Sequence, residues 1–272
     1  MRILWIFAHP ERHSLNGALL DAGLRTLDAL GHEHQVSDLY AMGWKAVVDA
    51  EDFRGPDPTD RRPEGDRLFV GDAQEQAYAQ GELSADIRAE QRKLDWADVV
   101  VFQFPLWWFG PPAILKGWFD RVLVQGFAFG LKDESGTTLR YGDGGLAGKR
   151  ALIVTSVGAR ESGFGPRGIH GAIDEVLFPL LHGTFWYTGM APLAPFTVYG
   201  ADRMTAPDAR TTTEALSARL RGLPDEEPLR YRHEQGGDYD EDLVLRPHVA
   251  PGRSGVAAQR LDVRERVRAV TA

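Results

Sequence analysis

Three stretches of this chain carry residues whose types and spacing could do chemistry. The first is Gly168-Ile169-His170-Gly171. It follows the carboxyl end of an expected strand, the end at which open α/β sheets bind ligands. A donor there stabilises negative charge growing on a bound ring; a structural or merely exposed histidine is the other reading. The second stretch, Phe102 to Arg121, reads FQFPLWWFGPPAILKGWFDR. It leaves a buried strand at Pro105 and crosses an aromatic turn, Leu106-Trp107-Trp108-Phe109-Gly110, before a helix. Exposed aromatic surface is costly unless covered, so the turn suits a large flat ligand whose ring carbonyls and nitrogens meet backbone N–H groups. The same aromatics would equally serve a core or a dimer interface. The third stretch, His9-Pro10-Glu11-Arg12-His13-Ser14-Leu15-Asn16, joins the first strand to the first helix. A helix N-terminus offers free N–H groups and partial positive charge to a phosphate. His9, Arg12, Ser14 and Asn16 could add donors; a capped helix beside a solvated loop is the alternative.

Several chemistries are excluded by what the chain lacks. No G-x-G-x-x-G follows the first strand and no P-loop occurs. H-E-x-x-H and G-x-S-x-G are absent, which disfavours a zincin and an α/β-hydrolase. With no cysteine among 272 residues there is no disulfide, thiolate metal site or cysteine nucleophile. His32 and His34 read as a surface pair before a strand, and His182, His233 and His248 have no partners at ligand spacing, so no metal is expected. Asp57, Asp60, Glu64 and Asp66 read as a solvated acidic loop. A net charge of −8 argues against nucleic acid. The apolar start, Ile3 to Ala8, is too short for a signal peptide, and no apolar run approaches a membrane span. A cytoplasmic protein without membrane insertion is the expectation.

The elements that must position these residues follow from periodicity. Arg2 to Ala8 is a near-continuous apolar run, as in a parallel strand buried on both faces. Ser14 caps a helix over Leu15 to Leu30 that Gly31 ends, and His34 to Leu39 is a second strand. Ala50 to Gly71 is Pro-, Asp- and Gly-rich and reads as a surface loop. Helices are expected over Gln74 to Leu83 and, capped by Ser84, over Ala85 to Ala97. The central strand runs from Val99 to Phe104, and Pro111 and Pro112 suit the first turn of the helix that follows. Leu131 to Gly148 reads as a hairpin or mobile flap. Arg150 to Ser156 is the fourth strand, Ile169 to Tyr187 mostly helix interrupted near Pro179, Pro192 to Val198 the fifth strand, and Ala206 to Arg221 the last helix. Strands alternating with helices give a doubly wound five-stranded parallel sheet. Residues 1–221 form this domain. Residues 222–272, charged and weakly periodic, form an extended C-terminal tail that packs on a neighbour or is partly disordered.

With these residues in view, the chain resembles the NAD(P)H:quinone oxidoreductase family, the DT-diaphorase and modulator-of-drug-activity type. The matches are AHPERHSLN at 8–16, SDLYAM at 37–42, GELSADI at 81–87, the segment from Ala89 through FQFPLWWFGPPAILKGWFDRV, RGIHG at 167–171 and APDAR at 206–210. They cover roughly residues 1–221 in the family's order. The resemblance implies a flavodoxin-like fold, a homodimer, bound FAD, and two-electron reduction of quinones by NADH or NADPH in a ping-pong cycle. It implies that His9, Leu15 and Asn16 hold the flavin phosphates and ribityl chain. Pro105, Leu106, Trp107, Trp108 and Phe109 would line the ring. Ser156, Val157, Gly158 and Ala159 match the second flavin loop, and Arg210 a residue near the adenine half. Phe129 matches an aromatic that covers the substrate pocket from the partner subunit, and His170 the catalytic histidine.

The departures from the family are specific. Phe164 stands where mammalian members place a tyrosine, six residues before the histidine, and a phenyl ring donates no hydrogen bond. The tyrosine–histidine relay is therefore incomplete, and His170 works alone or with water. Val157 and Ala159 replace a hydroxyl and a hydrogen in a loop usually built of threonines and glycines. Leu131–Gly148 and the tail do not align. Two rival functions share the fold: an FMN-dependent azo- or nitroreductase, and a regulatory subunit of a potassium-efflux transporter.

Overall fold

Every residue from Ile3 to Phe7 and from Val99 to Phe104 is fully buried, which requires cover on both faces of a sheet. The computed structural model, which describes residues 1–53 and 67–261, supplies that cover. The strands are β1 (Arg2–Phe7), β2 (Glu33–Asp38), β3 (Val99–Pro105), β4 (Arg150–Val157), β5 (Ala191–Pro192) and β6 (Phe196–Tyr199). All pair in parallel in the order β2-β1-β3-β4-β5, and β6 also pairs with β4. The expected fifth strand is thus broken in two along one edge. Leu193 N–H still donates to Ala151 O across the break. The acidic loop around Asp57, Asp60, Glu64 and Asp66 lies outside the described residues.

Side chains alternate across the sheet. Leu4, Ile6, Val100, Phe102 and Ile153 face one layer, made by α2 (Val70–Gln80), α3 (Ala85–Trp96) and α4 (Ala113–Val122) together with residues 177–190. Ile3, Trp5, Phe7, Val101 and Leu152 face the other. That second layer is α1 (Leu15–Ala29), whose Leu19, Leu20 and Leu27 meet Leu216 and Leu220 of the last long helix, Ala206–Gly222. Ser14 caps α1 by accepting from Gly17 N–H. Gly31, at φ +69°, closes it: its N–H reaches Asp28 O while His32 N–H reaches Leu27 O, a Schellman end. Thr205 and Asp208 form a reciprocal capping box at the start of the last long helix.

Ile169 to Tyr187 departs from the expected helix. It forms two short turns, Ile173–Val176 and Phe178–Leu180, then a π-helix, Leu181–Trp186. The wider turn lets Phe185 stack on Phe102 with centroids 4.7 Å apart. Leu131–Gly148 contains a tight turn with an antiparallel bridge between Lys132 and Thr138. The described part of the tail packs against this chain's own core. Tyr231 and Arg232 are buried, Trp186 Nε1 donates to Arg232 O at 3.0 Å, and Leu229 N–H reaches Pro192 O at 2.7 Å.

The order places β1 and β3 side by side while their onward connections diverge, the switch point at which such sheets bind ligands. α4 is anchored just beyond that point. Buried Arg121 grips buried Asp52 through Nε and Nη2, at 3.2 and 2.8 Å, and Asp86 at 2.7 Å. Removing one partner of such a pair strands a buried charge and costs about 3–5 kcal/mol.

Candidate functional site

A cavity of about 450 Å³ opens at the carboxyl ends of β1, β3 and β4. His9, Ser14, Leu15 and Asn16 line one wall; Pro105, Leu106, Trp107 and Trp108 line another. Ser156, Val157 and Gly158 line the third. The first wall is a helix start. Ser14 takes up Gly17 N–H at 3.3 Å, and the N–H groups of Leu15 and Asn16 point out of the first turn with no intrahelical acceptor. Gly17 has to be glycine, because a Cβ there would lie 1.8 Å from Arg12 O.

A chain of buried amides fixes this wall. Trp5 Nε1 donates to Gln103 Oε1 at 2.8 Å, Gln103 Nε2 to Asn16 O at 2.7 Å, and Asn16 Nδ2 to Ser156 Oγ at 2.9 Å. Asn16 is 5% exposed, yet its Oδ1 has no partner among the described residues. A buried acceptor left open costs about 1–3 kcal/mol, so it marks a place for a ligand donor.

The second wall is the aromatic turn. Trp107 N–H donates to Gly110 O at 3.1 Å and Gly110 N–H to Trp107 O at 3.0 Å, a two-residue hairpin. Its central residues, Trp108 and Phe109, sit at φ +50° and +60°, a left-handed pair that favours Asn and Gly. The strain is about 1–2 kcal/mol per residue. It holds Trp108 out with 98% of its surface exposed and Phe109 with 52%. Trp108 is therefore not a core residue; the geometry spends stability to present a flat ring. Leu106 N–H ties this turn to Ser156 O at 2.8 Å.

The third wall contains a residue that the sequence did not disclose. Asp202, with Ala201, joins the lining. Its Oδ2 lies so close over Gly158 that a Cβ there would be 2.0 Å away, and Arg203 Nη2 holds Gly158 O at 2.8 Å. Asp202 comes here because β6 pairs Tyr199 with Val157, a non-local register with no local signature. Ala159 lies just beyond the lining, its carbonyl taking Gly200 N–H at 2.9 Å. Arg210 is exposed on the last long helix, outside the cavity.

His170 and Phe164 flank the aromatic turn from outside. Their ring centroids are 4.8 Å apart, and His170 lies 5.7 Å from Phe109. His170 N–H donates to Gly163 O at 2.9 Å, which folds Phe164 under the imidazole with only 5% of its surface exposed. Phe129 is elsewhere, in a second groove of about 430 Å³ that also takes Phe109, Phe119, Leu180 and Tyr187.

These features fit a flavin: an open acceptor at Asn16, free N–H groups at a helix start and a presented indole. Among the described residues no helix is long and apolar enough to cross a membrane.

A profile of the flavodoxin-like fold matches residues 1–221. The ribosyldihydronicotinamide dehydrogenase-like protein traD of Penicillium crustosum is 44% identical over 88% of this chain and 87% of its own. NAD(P)H dehydrogenase [quinone] 1 of Rattus norvegicus is 38% identical over 85% of this chain and 80% of its own. A crystal structure from Klebsiella pneumoniae, proposed to be a quinone reductase, superposes with a TM-score of 0.89 at 46% identity, covering 96% of this chain and 100% of that one.

Proposed function

The chain belongs to the flavodoxin-like family of NAD(P)H:quinone oxidoreductases, and on that premise we propose that it reduces quinones with electrons from NAD(P)H, using bound FAD. The observation that carries the reading is the exposed Trp108 beside the open acceptor of buried Asn16, both in one cavity. When bound, FAD would supply the hydride chemistry that links nicotinamide to quinone, so the two substrates would use one slot in turn.

The chain's own residues bind and orient. Leu15 and Asn16 N–H groups, with His9 and Ser14, would take the phosphates. Pro105, Leu106, Trp107, Trp108 and Phe109 would lie along the ring, and Ser156, Val157, Gly158 and Ala159 would offer backbone groups to its edge. Arg210 would meet the adenine half. His170 would donate toward negative charge on the reduced ring. Phe164 packs that imidazole without donating to it, so any relayed proton comes from water. The working unit would be a homodimer in which Phe129 covers the partner's acceptor slot.

The test is extraction and chromatography of the flavin, followed by steady-state kinetics with NADPH and a benzoquinone. FAD and parallel double-reciprocal lines are expected. Release of FMN with turnover of azo dyes would replace this reading by an azoreductase. Absence of turnover with co-purification of a membrane transporter would replace it by a regulatory role.

A further inference from the structure

A third cavity, of about 360 Å³, shares no lining residue with the flavin cavity or with the Phe129 groove. Tyr141 lines it from Leu131–Gly148, Phe178 and His182 from the segment around the π-helix, and Glu234, Tyr239, Leu243 and Gln259 from the chain beyond 222, where the flavodoxin-like profile has ended at residue 221. The first and last of these segments are clasped together: Arg140 grips Glu234 through Nε and Nη2, and His233 Nδ1 lies 3.3 Å from Asp143 Oδ2.

The lining is aromatic. His182 stacks on Phe178 with centroids 4.7 Å apart and 9° between planes, and Tyr141 lies 5.0 Å from the same imidazole. Tyr239 and Leu243 close the other side. Tyr141 is held at φ +47°, a costly conformation for a bulky residue and one that clusters at ligand sites.

The polar groups are few and of one kind. No side-chain hydrogen bond to His182 is found among the described residues, and burial pushes its pKa down to about 4. It therefore presents a neutral ring with one donor and one acceptor. Gln259 Oε1 takes the Tyr239 hydroxyl, which leaves its NH2 as a donor. The carboxylate of Glu234 is matched by Arg140, so the wall carries no uncompensated charge. A lining with three further aromatic rings beside His182, neutral donors and acceptors, and a volume within the small-molecule range define the occupant.

We propose that this cavity is a second ligand site, binding a neutral planar aromatic molecule of the phenol or hydroxyquinone class against the lining of Tyr141, Phe178 and Tyr239, with His182 as its hydrogen-bonding partner.

The probe is 2-naphthol, neutral at pH 7, titrated calorimetrically into the full chain with saturating FAD. Two variants locate the event. His182→Phe keeps the stacked ring and removes both nitrogens; Leu243→Trp fills the cavity. A binding event weakened about tenfold by His182→Phe, the worth of one buried hydrogen bond, and abolished by Leu243→Trp is expected. Quinone turnover would persist in both, which reports that they fold. No binding to the wild-type chain, or binding unchanged in both variants, would overturn the proposal; the latter would place naphthol in the nicotinamide slot.

Discussion

The side-chain amide of Asn16 donates to Ser156 Oγ at 2.9 Å and so joins the start of α1 to the end of β4 inside the cavity at the strand ends. One residue thereby sets the spacing of two walls, while its own Oδ1 stays open. Asn16→Ala is expected to weaken flavin binding about tenfold and to destabilise the chain by about 1–2 kcal/mol. Fluorescence titration and urea unfolding read the two effects. Unchanged affinity would remove Asn16 from the site.

Trp108 combines strain with exposure, and the two make a sharp prediction. Replacing a core tryptophan costs about 3–5 kcal/mol. Trp108→Gly should change apo-protein stability by less than about 1 kcal/mol, since relief of the left-handed strain offsets the backbone freedom gained. Flavin affinity should nevertheless fall at least about tenfold, as a stacking surface is lost. Loss of stability without loss of affinity would make the ring structural.

His170 touches the aromatic turn through Phe109 but lines neither the Asn16 wall nor the Ser156 wall. His170→Ala should therefore leave flavin bound and slow its reduction by about 100-fold, the scale of one lost charge-stabilising donor. Stopped-flow reduction by NADPH measures this. A rate within a factor of about two of wild type would take His170 out of the mechanism.

Burial alone lowers the His182 pKa from 6.5 to about 4. As pH falls below 6.5 the unfolded chain takes up the proton first, so stability present above that pH is lost progressively down to about 4 and then levels off. Partial solvent access reduces the effect to about 1–2 kcal/mol. Thermal unfolding across this range should show that loss in wild type and not in His182→Phe. Parallel pH profiles would contradict it.

The parts of the fold that local chemistry dictates were legible in the chain. RILWIFA is buried on both faces because it is apolar at every position, and Ser14 and Gly31 bound α1 by their own conformational preferences. The aromatic turn announced itself through Pro105, Gly110 and three adjacent rings. Features set by distant partners were not legible. The π-helix sets Phe185 against Phe102, and the tail meets Trp186 Nε1 through the Arg232 carbonyl, contacts between positions far apart in the chain. Asp202 enters the cavity only through the register of β6 on β4. Arg210, matched by motif alone, stands outside the cavity lining.

The central claim is that a redox-active ring rests against Trp108 and passes electrons from a nicotinamide to a quinone. The visible spectrum of the purified protein tests it most directly. A flavin band that NADPH bleaches without oxygen and a quinone restores is the predicted result. A colourless chain that takes up neither FAD nor FMN would contradict it.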